Sequence, residues 1–66
     1  MSKNHLILKS SWLITPLGPM LAIADEHALY LLEFADRRGL ESEIERLRKK
    51  MFAAIIPGET PVIKKI

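Results

Sequence analysis

Few groups in this chain could take part in bond chemistry. They are two histidines, the acidic run Asp25-Glu26 next to one of them, a pair of serines and one basic cluster. General acid–base catalysis needs such groups converging in a pocket with displaced pKa values. Asp25-Glu26-His27 lies instead between two apolar runs. There it has the composition of a polar hairpin connection, where all three side chains would be solvated. His5 and His27 are the only imidazoles, and no third ligand stands at metal-binding spacing, so both are expected to be surface histidines. Ser10-Ser11 has no nearby base to activate a nucleophile, and a bulge or an exposed strand accounts for the pair better. The chain has no cysteine. That excludes disulfides, thiolate metal sites and cysteine nucleophiles within it. No catalytic, cofactor-binding or metal-binding residue is assigned, and no cofactor is expected.

The basic cluster is Arg46-Leu47-Arg48-Lys49-Lys50, with Arg37-Arg38 a lesser one. Arg46, Arg48, Lys49 and Lys50 are candidate DNA contacts, because such side chains give affinity for phosphates whatever the base sequence. The competing account is a solvated helix end whose bases match the helix dipole. Trp12 and Tyr30 have faces on which bases could stack, but aromatic residues in apolar strands more often pack in a core. The net charge is only +2, from 10 basic and 8 acidic side chains. Interleaved as they are, they exert little pull on a polyanion.

Sixty-six residues allow one small domain. A domain of that size buries only about 60% of its unfolded surface. Hydrophobic residues make up 48% of the chain, unlike a disordered tail. No secretory signal pattern is present, and the longest apolar runs fall well short of a bilayer span. A soluble cytoplasmic protein with no membrane partner is expected.

The apolar pattern places the elements. Met1 to Asn4 is expected to be a loose terminus. His5 to Thr15 is either one strand with a polar middle or two short strands with a bulge near Ser10. Pro16-Leu17-Gly18 suits a turn, and the continuous apolar run Met20 to Ala24 suits a strand at the centre of a sheet. Ala28 to Phe34 is the third strand, with Tyr30, Leu32 and Phe34 on one face. The period then changes. Leu40, Ile44, Leu47 and Met51 recur at helical spacing, with acidic residues early and basic residues late. Asp36 is the expected N-cap. Phe52 to Ile56 is either a short strand or a packed connection. Thr60-Pro61 has the form of an N-cap followed by proline at N1, so a second helix starts there or Val62 to Ile66 forms an edge strand. The expected fold is α+β: a three-stranded antiparallel meander packed on one main helix. Its expected core is Leu6, Leu8, Ile14, Leu21, Ile23, Tyr30, Leu32, Phe34, Ile44 and Leu47.

One resemblance follows from these residues. Thr15-Pro16-Leu17-Gly18-Pro19-Met20-Leu21-Ala22-Ile23-Ala24-Asp25, then Ala28-Leu29-Tyr30-Leu31-Leu32-Glu33-Phe34, resembles the start of the O6-alkylguanine-DNA alkyltransferases. These are the methylated-DNA–protein-cysteine methyltransferases of DNA repair. Members open with a strand, a Thr-Pro-Leu-Gly turn, an apolar strand, a reverse turn and another apolar strand, and then a charged amphipathic helix. The likeness covers residues 5 to 66 in order. It implies a ribonuclease-H-like N-terminal domain, with catalysis in a separate C-terminal domain that carries a Pro-Cys-His-Arg motif and a DNA-binding helix-turn-helix. No residue here matches that motif, so no catalytic role carries over. Some members hold a structural zinc in the N-terminal domain through cysteines and histidines, a site His5 and His27 could not reproduce alone. On this resemblance, residues 1–66 are a single small domain, the N-terminal fragment of a longer protein. Its partners would be the C-terminal catalytic domain of the same protein and, in the full-length protein, DNA. The alternative is a small self-associating interaction module, a homo-oligomer that completes its core with a second copy.

Overall fold

The computed structural model describes residues 6–66, so His5 and the expected loose terminus lie outside the described part. The elements run β1 (Leu6–Thr15), β2 (Gly18–Ala24), β3 (Leu29–Phe34), α1 (Leu40–Met51), β4 (Ala53–Pro57) and α2 (Pro61–Lys64). The sheet has four strands in the order β3-β2-β1-β4, not the three of the expected meander. β1, β2 and β3 do form that meander, with antiparallel pairing throughout. The chain then crosses through α1, and β4 adds parallel to the other side of β1, with Leu6 opposite Ala53 and Leu8 opposite Ile55. Ala53–Pro57 is short and uniformly apolar, so its sequence leaves open whether it pairs or merely packs. The parallel register on β1 decides it.

β1 is one unbroken strand, and Ser10 lies within it opposite Ile23 and Pro57. The turn after it is built by Thr15. Its hydroxyl donates to the Gly18 carbonyl at 2.6 Å and accepts from the Leu17 N–H at 3.2 Å. Gly18 has φ +127°, a region that L side chains rarely adopt. The irregularity in the sheet sits in β3. Ile23 pairs with Leu31 but Ala24 pairs with Leu29, so Tyr30 is an extra residue. This bulge breaks the expected alternation. Tyr30 packs with the cluster under α1, whereas Leu32 packs on the opposite face.

Each face of the sheet has its own cluster. On one, Leu8, Leu21, Ile23 and Ala53 meet Leu40, with Ile44, Leu47 and Met51 of α1 around them. On the other, Ala22 and Ala24 lie under Ile63 of α2. Leu8 and Ile23 are fully buried. Three residues of the expected core are in neither cluster: Leu6 is 38% exposed, Ile14 84% exposed, and Phe34 is half-buried at the end of β3. Leu8, Trp12 and Ile14 share a face by alternation, but the far end of the β1–β2 hairpin has nothing above it. The pattern fixed which way these side chains point and left their covering undetermined.

α1 spans the residues its apolar stripe marks out, but Asp36 is not its cap. Gly39 takes the N-cap position with φ 84°, and no side chain caps the helix there. The left-handed Gly39 turns the chain sharply into the helix, and its carbonyl accepts from the Glu43 N–H at 3.0 Å. The last segment is helical. Thr60 is its N-cap, buried, and its hydroxyl accepts from the Ile63 N–H at 3.3 Å.

Leu8→Ala is therefore expected to cost about 2–5 kcal/mol, because a fully buried side chain leaves a cavity. Ile14→Ala, on the same strand and face, should stay within about 0.5 kcal/mol. Urea unfolding of both variants against the parent checks the contrast. Equal losses would mean that the hairpin end is covered in solution.

Candidate functional site

The turn Asp25-Glu26-His27 does not stand alone at a solvated tip. Chain reversal at α2 brings Glu59, Thr60 and Pro61 against it, and β1 adds Ile7 and Lys9. Together they line a cleft of about 300 Å³. The Asp25 turn and the Thr60-Pro61 helix start are each legible in the sequence; only the folding of α2 onto β2 joins them and brings in Lys9.

The chemistry of this cleft is set by Asp25. One carboxylate oxygen, Oδ1, accepts from the His27 N–H at 2.7 Å and the Ala28 N–H at 2.8 Å. The other, Oδ2, accepts from the Tyr30 hydroxyl at 2.9 Å. The Asp25 N–H in turn donates to the Ala28 carbonyl at 3.1 Å. These donors favour the ionised form, the two backbone N–H groups most, and hold the Asp25 carboxyl below its ordinary 3.8. The same contact pushes the Tyr30 phenol up, since losing its proton would set two negative charges together and break the bond. A carboxylate with a depressed pKa, already accepting three hydrogen bonds, makes a weak general base. Its role is to shape the reverse turn and hold Tyr30 over the bulge. His27 and Glu26 are exposed. Among the described residues, no three His, Asp or Glu side chains come together in a way that could hold a metal ion.

Ser10 of the serine pair is equally structural. Ser10 Oγ donates to the Ile56 carbonyl at 3.5 Å, across the β1–β4 junction. Tyr30 is occupied by Asp25, whereas Trp12 is 59% exposed. The four candidate DNA contacts lie on the second half of α1. At about 100° per residue, Arg46 and Lys50 flank one side of the apolar stripe, Lys49 points away from it, and Arg48 lies on the other flank. Arg48 is ion-paired with Glu45, so the four cations do not form a single patch. Of the lesser cluster, Arg37 bridges Glu33 at 2.8 Å and Glu43 at 3.0 Å, tying the end of β3 to the first turn of α1. Glu33, closest in effect, and Glu43 both favour its charged form. No helix among the described residues is long and apolar enough to cross a membrane.

Comparison with family models, with curated proteins and with solved structures gives no match.

The Asp25 turn carries a pH signature whose sign is fixed. Its pKa is lower folded than unfolded, so its contribution to stability is complete above the ordinary carboxylate value. That contribution is lost as pH falls through the folded pKa. Asp25→Asn should therefore be less stable than the parent at pH 7 and should lose less on acidification. Urea midpoints measured at intervals from pH 7 to pH 2 test this. Parallel curves for the two proteins would rule out the carboxylate as the source.

Proposed function

We propose that this chain is a non-catalytic supporting domain, and specifically the N-terminal domain of an O6-alkylguanine-DNA alkyltransferase. The observation that carries the reading is the ordered series of elements around Thr15-Pro16-Leu17-Gly18. A strand, this turn, an apolar strand, the Asp25 reverse turn, a third strand and the charged helix α1 follow one another as the resemblance requires. Two further features support it. The groups with reactive potential are spent on structure: Asp25 on a turn, Ser10 on a strand junction, Arg37 and Arg48 on local ion pairs. The chain also exposes Trp12, Ile14 and Leu17 together at one end of the β1–β2 hairpin, an apolar surface suited to support and orient a catalytic domain. In the complete protein the alkyl group would pass to a cysteine of that other domain, and DNA would be bound there.

A second reading is favoured by the same surplus of uncovered side chains. Phe52 and Ile56 are exposed at the opposite end of the sheet from Trp12 and Ile14. A small domain that cannot hide its apolar surface alone can do so with a second copy. Sedimentation at several concentrations separates a strictly monomeric chain from a self-associating module.

The first reading predicts no alkyl transfer by these 66 residues. Incubation with DNA containing O6-methylguanine, followed by mass measurement of the chain, should show an unchanged mass. Stoichiometric gain of a methyl group would overturn the supporting role.

A further inference from the structure

The β1–β2 hairpin runs on past everything that covers the rest of the sheet. α1 begins at Leu40, which packs with Leu21, and the cluster beneath the helix continues toward Leu8, Ile23 and Ala53. Trp12 stands opposite Leu21 and Ile14 opposite Pro19, on that same side of the sheet. Trp12 is 59% accessible, and Ile14 and Leu17 are each 84% accessible. Pro16 and Pro19 are exposed beside them. No charged residue occurs from Ser10 to Ala24. The chain beyond β3 is tied to this end by the Ala35 N–H, which donates to the Pro19 carbonyl at 2.9 Å. It adds Asp36, Arg37 and Arg38, so charges of both signs border the apolar patch.

We propose that this hairpin end packs against the hairpin end of a second copy, face to face about a two-fold axis. The partner's hairpin takes the layer that α1 leaves empty, so each copy supplies the cover the other lacks. Trp12 and Ile14 lie two residues apart on one face, and an axis between them sets Trp12 of each copy on the partner's Ile14. Trp12, Ile14, Leu17 and the two prolines present roughly 500 Å² from each copy, so a dimer hides about 1,000 Å², the lower limit of a specific interface. An interface of that size is weak, so the dilute chain is single and the dimer forms as concentration rises. Charge selects this end over the far one. Phe52 shares a concavity with Arg48 and Lys49, and a two-fold contact there would set those bases against their copies. The hairpin end brings no charge against itself. The backbone argues against a lipid surface. The Gly58 N–H donates to the Ser10 carbonyl at 2.9 Å, so Ser10 faces β4, and alternation turns Trp12 and Ile14 to the same side. β4 ends at Pro57, opposite Ser10, so no strand among the described residues meets the N–H and C=O groups of Trp12 and Ile14. Hydrocarbon would leave them unpaired, whereas a face-to-face contact leaves that edge in water. The inference deepens the self-association reading and rests on it, and it is independent of the alkyltransferase reading.

Trp12 is the only tryptophan, so its fluorescence reports this surface alone. Its emission should move to shorter wavelength over the same concentration range in which sedimentation velocity shows the dimer. Ile14 and Leu17 are exposed, so the single chain tolerates a charge at either position. Ile14→Lys and Leu17→Lys should each weaken dimerisation roughly tenfold or more, with an unchanged circular dichroism spectrum. Ile56→Lys, on β4, should leave the dimer unaltered. A wild-type chain that stays monomeric into the millimolar range overturns both the inference and the self-association reading. A dimer that leaves the Trp12 emission unchanged, persists in both hairpin variants, or is lost equally in Ile56→Lys overturns the hairpin contact alone and leaves self-association through another surface. Vesicles of equal phosphatidylcholine and phosphatidylserine that shift the emission of the dilute chain would assign the surface to a membrane and overturn the inference too.

Discussion

The structure depends on one constraint: β2 must be buried on both faces by a chain too short to supply two full layers. Ala22, Ile23 and Ala24 are completely inaccessible. The face of Ile23 has a 12-residue helix above it. The face of Ala22 and Ala24 has only the four residues of α2. That thin cover suffices because the two alanines have little bulk, which lets Ile63 sit close to the backbone of the sheet. Thr60 makes it possible by capping a helix too short to hold itself together. The cover ends with α1 and α2, and beyond it large apolar side chains remain in water.

The same constraint separates what the sequence made legible from what it did not. α1 was legible because Leu40, Ile44, Leu47 and Met51 form one stripe, and a stripe of that spacing has no strand counterpart. The Thr60-Pro61 start was legible from local chemistry. β4 was not, since a five-residue apolar run is equally a buried connection. Its identity depends on β1 offering a free edge, a non-local fact. Ile14 and Leu6 were misplaced for a related reason. Alternation reports the face of a side chain, and coverage depends on how far the opposing helix reaches. Tyr30 was misplaced by a bulge, which shifts one residue and so reassigns a face. Gly39 took the capping position from Asp36 because the approach to α1 needed a positive φ more than it needed a side-chain acceptor.

The candidate site was legible as a set of turns and hidden as a cleft. Asp25, Glu26 and His27 are adjacent in sequence, and their composition announced a reversal of the chain. What the sequence could not convey is how completely the reversal uses Asp25. Two backbone N–H groups engage Oδ1 and a phenol engages Oδ2, so the carboxylate is held in place by the turn it forms. The basic residues follow the same rule. A helix winds the closely spaced cations Arg46, Arg48, Lys49 and Lys50 around its axis, so a compact charge cluster in the sequence becomes a dispersed one in space.

The two readings of function claim one surface. β4 pairs with the first half of β1, Leu6 to Ser10. Trp12, Ile14 and Leu17 belong to its second half and the turn beyond. A partner domain seated on the hairpin end would exclude a second copy there, and a second copy would exclude the domain. What the hairpin end offers to either is apolar area, so shape and burial decide what fits. Substitution at Ile14 or Leu17 removes that area without touching the clusters under α1 and α2.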